Sequence, residues 1–379
     1  MNLRSTDVLV VGGGVIGLAL AWELAERGRK VTLLEAGQVG RAASWAGAGI
    51  LPPTARHGTS DPYEQLRAMS HVAHPKWAER LRELTGIDTG FSRCGGIYLA
   101  ATAAEAATLA ANRGWWLEHG IEHESWSVAE LLRREPGLGQ IDQASELLQQ
   151  LRAVWYLPDE CQLRNPHYLQ ALAAACRKRG VVLVEDSPVT DIQLDSPGSI
   201  QVIGPQHSYH ANQVCICSGA WAQRLLSGLQ IANGIMPVRG QMVLYRCDGP
   251  ALNSVVNEGH RYLVARRDGH LLAGSIEEEV GYAIETTEEG IAQIRAWAER
   301  VMPLLKQQPV ERTWAGLRPG SFDGFPYLGP VPGFENLFVA AGHYRSGLHL
   351  SCGTAMVMAN VMQGQPNEID LHSFRIGRG

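Results

Sequence analysis

The sequence predicts an α/β fold in which a parallel-type sheet at the N-terminus is joined to a second, α+β unit with a mostly antiparallel sheet. Three observations predict it. Asp7 to Val11 is an unbroken apolar, β-branched run, as expected of a strand buried on both faces. That run leads straight into G-x-G-x-x-G, with glycines at 12, 14 and 17, and then into helical periodicity. Far downstream, Tyr262 to Gly274 reads as a hairpin around Asp268-Gly269, with Tyr262, Val264 and Arg266 on one face.

Each N-terminal element has a physical reason. Val15, Leu18, Ala19, Trp22 and Ala25 recur at helical spacing, and Gly28 sits where a helix ends. Val31 to Leu34 is a second apolar strand ending in Glu35, eighteen residues beyond Gly17. Gly12 allows a tight turn, Gly14 admits a pyrophosphate close to the backbone, and Gly17 lets helix and strand approach. The helix N-terminus offers free N–H groups to phosphate, and Glu35 is placed to accept from a ribose. Together they describe a Rossmann-like dinucleotide site. No second G-x-G-x-x-G follows, so a separate nicotinamide domain is not expected. No cysteine pair lies in Arg41 to Leu51, which argues against a flavin disulfide reductase. Electrons are expected to enter from an organic substrate.

Composition narrows the classes further. The 379 residues suit two or three domain-sized units, and 45% hydrophobic with 19% charged residues excludes a disordered chain. Thirty-three basic against 38 acidic side chains leave a net charge of −5, with no electrostatic footprint for nucleic acid. The seven cysteines are scattered and form no CxxC, so neither a disulfide framework nor a zinc ribbon is expected, and a reducing cytoplasm is the natural setting. The apolar run Val8 to Trp22 is too short to span a bilayer and lacks the flanks of a signal peptide. His71/His74 and His119/His123 lack the partners of a metal motif, and no metal is expected.

In the middle of the chain, Arg41 to Leu51 is a run of small residues that would let backbone pass close to a planar ring; it reads equally as a flexible loop. Ser127 to Glu130 has the spacing of a capping box before a short helix that Pro136 stops. Residues 165–180 are helical in pattern, Val181 to Val184 and Val214 to Cys217 are strands, and Cys215 and Cys217 are expected to be buried apolar side chains. The second of these strands breaks at Ser218-Gly219, as sheets do where they open onto a ligand.

Trp314 to Gly329 places Arg318 before Pro319, which biases Arg318 to an extended conformation. Its neighbours are aromatic residues and glycines, and its planar fork suits a carboxylate; pairing with an acid distant in sequence is the alternative. Asn336 to Ala341 is a buried strand, then Gly342-His343-Tyr344-Arg345-Ser346-Gly347 precedes a long apolar helix from about Leu348. A helix N-terminus in this place would stabilise negative charge on a reduced flavin.

The segments GGGVIG…LLE and WAGLRPGSFDGFPYLG…LFVAAGHYRSGLHL resemble the FAD-dependent D-amino-acid oxidase and sarcosine oxidase superfamily, and within it the glycine oxidases of thiamine biosynthesis. The resemblance covers nearly the whole chain. It implies noncovalent FAD, held by Gly12, Gly14 and Gly17 with Val15, Ile16, Glu35, Ala36, Ala43, Ser44, Ala48, Gly49 and Ile50 around it. Val189 would lie beside the adenine, and His343, Tyr344, Arg345, Ser346, Gly347, Leu348 and His349 would wrap the isoalloxazine. Arg318 matches the family's carboxylate clamp, Tyr262 an assisting hydroxyl and Arg345 a pocket cation, and these three form the expected catalytic set. His260 falls near the pocket mouth, and Glu277 stands where some glycine oxidases carry an apolar residue. Cys352 lies inside the last helix and no cysteine falls between Trp314 and Gly347, so a covalent flavin tether is not expected.

The activity so implied is oxidative deamination of glycine and other small amines, such as sarcosine and small D-amino acids. Hydride leaves the α-carbon for flavin N5, water hydrolyses the resulting imine, and O2 is reduced to hydrogen peroxide. The alternative is a D-amino-acid or D-proline dehydrogenase that passes electrons to a quinone. The resemblance further implies a homo-oligomer and hand-off of the imine to a thiazole synthase, and the sequence itself leads to no expectation of firm membrane association. The expected FAD-binding domain takes residues 1–90, 150–221 and 322–379, and the expected substrate-binding domain takes 91–149 and 222–321.

Overall fold

Val8 and Val10 point into one hydrophobic core while Leu9 and Val11 point into another, which is why the first strand is apolar at every position. The computed structural model describes residues 3–56, 58–139, 148, 150–196 and 199–378. In it Leu3–Val11 runs parallel to Val31–Leu34 on one side and to Ser208–Ile216 on the other, and Val182–Val184 extends the parallel set beyond Val31–Leu34. The outer edge of Ser208–Ile216 is shared. Its first half pairs antiparallel with Ser199–Ile203, and its last three residues pair parallel with Leu337–Ala341. Asp191–Ser196 and Tyr327–Pro330 complete this eight-stranded sheet. Helices Val15–Glu26, Pro62–Thr85, Asn165–Lys178 and Gly347–Met362 pack together over one face.

The second sheet also has eight strands. Its order is Val310–Gly320, Met236–Arg246, His270–Gly274, Arg261–Ala265, Val255–Glu258, Gly96–Ala100, Ala153–Leu157 and Glu124–Ser125. Every pairing is antiparallel except that of Val255–Glu258 with Gly96–Ala100. The expected hairpin is present, with Val264 opposite Leu272. Helix Glu288–Val301 covers one face through Ile294 and Trp297, and the other face looks onto the first sheet's nucleotide end. The expected boundary at residue 150 cuts ahead of Ala153–Leu157, which hydrogen-bonds to Gly96–Ala100; this strand belongs to the second sheet.

Two further expectations meet the structure in detail. Ser127 accepts from the Glu130 N–H at 3.1 Å and opens helix Val128–Arg134. The small-residue run at 41–51 is not a plain loop: it contains the short helix Ala43–Ala46 and the strand Ile50–Leu51. Its backbone is held from outside. Asn165 donates to the Ser44 carbonyl at 3.0 Å, Trp314 Nε1 to the Ala46 carbonyl at 3.0 Å, and Arg266 to the Ala48 carbonyl at 2.6 Å. Among the described residues no helix is long and apolar enough to cross a membrane.

Candidate active site

Between the carboxyl ends of the parallel strands and the inner face of the second sheet lies a cavity of about 920 Å³. Such a position is where open α/β sheets bind ligands, and the volume is at the upper end for ligand sites. Its floor is the glycine turn. Gly12 has φ of +112°, and a β-carbon on Gly17 would sit 1.9 Å from the Gly12 carbonyl oxygen, so both positions require glycine. The helix that follows starts at Val15 with no acid in its first turn, and its Val15 N–H is met by Ser44 Oγ at 2.9 Å. Glu35 accepts from the Gly13 N–H at 2.6 Å and from the Gly37 N–H at 3.0 Å, which fixes its carboxylate beside the turn.

The second helix end at the cavity is Gly347–Met362. No side chain caps it and its first turn carries no acid, so its positive dipole is not offset locally. The chain enters it through Tyr344, whose φ of +47° is rare for a bulky residue and marks a constrained functional turn. Beneath this turn His343 hydrogen-bonds Thr354 Oγ1 at 3.1 Å, and burial pushes its pKa down to about 3, leaving it neutral. His349 lies 3.3 Å from His71 Nδ1, and its carbonyl contacts His74 Nε2 at 2.8 Å.

At the far end of the cavity stands Arg318. One Nη donates to Ser275 Oγ, the other to the Ile276 carbonyl at 3.1 Å, and no acid pairs with it among the described residues. The distant acid that the sequence left open is therefore not found there. Room for the guanidinium comes from Gly240, where a β-carbon would lie 2.3 Å from Arg318 Nη2. Tyr262 is on the same wall, its hydroxyl 3.4 Å from Met242 Sδ. Arg345 sits at the exposed rim, ion-paired with Glu277 at 3.1 Å and donating to the His260 carbonyl at 3.2 Å. Its charge is thus partly neutralised by Glu277.

All the expected site residues line this cavity except Gly17, which acts under Gly12, and His260 and Glu277, which touch Arg345 at its rim. Several lining residues had no sequence signal: Tyr98, Asn257, Ser275, Gly240, Met242 and Arg67. Ser275 could have been flagged only as a hydroxyl just past the hairpin.

The walls suit FAD on grounds independent of any likeness. Two helix N-termini free of acids face one cavity, its sides are built from Gly14, Ala43, Ser44, Gly47 and Ala48, and Ser218 Oγ is buried there without a partner among the described residues. Fold and site thus define a dinucleotide-binding protein. Residues 7–361 match the family described as FAD dependent oxidoreductase. The chain belongs to this family, and its cofactor is FAD. Glycine oxidase of Pseudomonas aeruginosa is 36% identical over 368 residues, 97% of each chain. The bifunctional protein ThiO/ThiG of Synechocystis is 32% identical over 98% of this chain and 53% of its own length. The crystal structure of glycine oxidase from Geobacillus kaustophilus superposes with a TM-score of 0.92, at 34% identity and 99% coverage of each chain.

Proposed function

We propose that the protein oxidises glycine and other small amino acids or amines, using O2 as the electron acceptor and releasing hydrogen peroxide. The observation that carries this reading is Arg318: a cavity-facing guanidinium held by a hydroxyl and a carbonyl, with no acid among the described residues to neutralise it. A fork so placed binds a carboxylate in two-point fashion and so fixes the α-carbon. Tyr262 adds a hydroxyl to the same carboxylate, and Arg345 closes the rim above it. When bound, FAD supplies the two-electron chemistry, accepting hydride from the α-carbon.

The chain's own part is to bind and orient. Gly12, Gly14, Val15 and Ile16 would hold the pyrophosphate, Glu35 and Ala36 the ribose, and Val189 the adenine. Ala43, Ser44, Ala48, Gly49 and Ile50 would lie around the cofactor, and His343 to His349 would wrap its ring, where the free helix N-terminus would offset negative charge. Residues 1–90 and 322–379 with most of 150–221 serve the cofactor, and 91–149 with 222–321 and the strand Ala153–Leu157 serve the substrate.

The glycine oxidases and the ThiO/ThiG fusion support glycine as substrate and delivery of its imine to a thiazole synthase. Seven free cysteines fit a cytoplasmic enzyme, and a homo-oligomer is expected by likeness. The test is oxygen consumption with glycine, sarcosine, D-alanine and D-proline, with peroxide and the 2-oxo acid measured as products. Turnover of D-proline with a dye but not with O2 would replace the oxidase by a dehydrogenase. A thiazole-independent deletion strain would remove the role in thiamine synthesis.

A further inference from the structure

Glu160 is 0% exposed, and no cation pairs with it among the described residues. Tyr98 donates its hydroxyl to Glu160 Oε2 at 2.5 Å, and Asn257 Nδ2 donates to Oε1 at 3.1 Å. Both donors line the cavity, whereas Glu160 does not. Strand register explains the arrangement. Tyr98 pairs with Asn257, Asn257 with Tyr262, Tyr262 with Gly274 and Gly274 with Met242, so one row across five strands faces the substrate end. Glu160 stands behind this row, in space left by Gly96, where a β-carbon would come 2.3 Å from the carboxyl carbon. Burial pushes its pKa up to about 7.

An amino acid enters as a zwitterion, and its α-carbon releases hydride only when the nitrogen lone pair is free. One N–H proton has to leave first. We infer that Tyr98 and Glu160 take that proton: the substrate N–H bond breaks onto the Tyr98 oxygen as the Tyr98 hydroxyl proton passes to Glu160 Oε2. The step leaves a neutral amine, a neutral tyrosine and a protonated Glu160, with no change of oxidation state. Asn257 holds the other carboxyl oxygen and turns Oε2 toward the hydroxyl. Glu160 acts through Tyr98 and is a positioning residue for the proton.

Other groups near the pair do not compete. Burial holds the Cys94 thiol up at about 11 and that of Cys161 at about 12, Arg67 is engaged by Glu64, and Arg93 is paired with Asp159. The inference rests on the amino-acid oxidation proposed above.

The test uses the FAD-loaded enzyme with Glu160→Gln, Glu160→Asp and Tyr98→Phe, reading kcat/KM for glycine against pH alongside an infrared pH titration. Wild type should show activity rising through neutral pH, and a carboxyl group titrating in the same range that Glu160→Gln lacks. Glu160→Gln should lose on the order of 10²-fold at pH 7, recover toward alkaline pH, and be partly rescued by Asp. Tyr98→Phe should lose the same limb, and it decides the matter if Glu160→Gln does not retain FAD. An unchanged limb, or an equal loss at every pH, would overturn the inference. Absence of amino-acid oxidation by wild type would instead overturn the function it rests on, while the infrared titration still reports whether Glu160 holds a proton.

Discussion

The Arg318 guanidinium is held by the Ser275 hydroxyl rather than by a carboxylate. This leaves its charge available to a ligand, and removing it leaves the ligand's carboxylate unpaired. Arg318→Ala should cost on the order of 3–5 kcal/mol in substrate binding, several hundredfold or more, while the protein stays yellow with FAD. Arg318→Lys should recover little, because a point charge does not replace a two-point fork. Steady-state KM for glycine checks both, and saturation at wild-type concentrations by the Ala variant would remove Arg318 from the site. Gly240→Ala should reproduce part of the defect by crowding the guanidinium.

Tyr262→Phe removes one hydroxyl and keeps the ring against Met242. A loss of about 1–2 kcal/mol in kcat/KM, roughly tenfold, is expected from one missing hydrogen bond. An unchanged kcat/KM would make the hydroxyl structural.

Gly17→Ala forces a β-carbon to within 1.9 Å of the Gly12 carbonyl oxygen and so moves the glycine turn at the cavity floor. The variant should purify colourless or lose FAD on dilution, read from its visible spectrum. Gly114→Ala is the contrast. It lies in helix Ala103–Glu118 with nothing near its absent β-carbon, so it should raise stability by about 0.4–1 kcal/mol and keep full flavin.

Stability should fall on mild acidification. Burial lowers the pKa of His74 and His71 to about 4 and of His343 to about 3, and lowers that of His349 as well. In the unfolded chain these side chains take up protons near 6.5. Below that pH the unfolded state therefore binds more protons, and each buried histidine removes about 1.4 kcal/mol per pH unit down to its folded pKa. Glu160 runs the other way: with its pKa raised to about 7, the folded state holds the extra proton between about 4.5 and 7, which offsets part of the loss. Burial raises the Glu135 carboxyl as well, but these two carboxyls are outnumbered by the four buried histidines, which set the sign. The urea midpoint should drop between pH 6.5 and 5, and drop more steeply in Glu160→Gln. A midpoint that rises on acidification would mean that the histidines are charged in the folded protein.

What the sequence made legible was local. Strand, glycine turn, helix, second strand and Glu35 lie within the first 35 residues, so one periodicity change and one motif locate half the cofactor site. Arg318 was legible through Pro319 and the lack of nearby acids, though its exclusion of distant ones needed the fold. The proton-holding wall was not legible, because Tyr98 and Asn257 meet only through strand register, and Glu160 reaches them from 62 and 97 residues away along the chain. The run at 41–51 read equally as a flexible loop because the bonds that order it come from Asn165, Arg266 and Trp314. The strand Ala153–Leu157 was not legible for a similar reason: only its pairing with Gly96–Ala100 assigns it to the second sheet.

The measurement that tests the account most directly is the visible spectrum of the purified protein mixed with glycine without oxygen, then exposed to air. The account predicts an oxidised flavin spectrum that bleaches with glycine and returns on admitting air, with peroxide formed, and bleaching at far higher glycine in Arg318→Ala. A bound flavin that glycine, sarcosine and D-alanine all fail to bleach would contradict it.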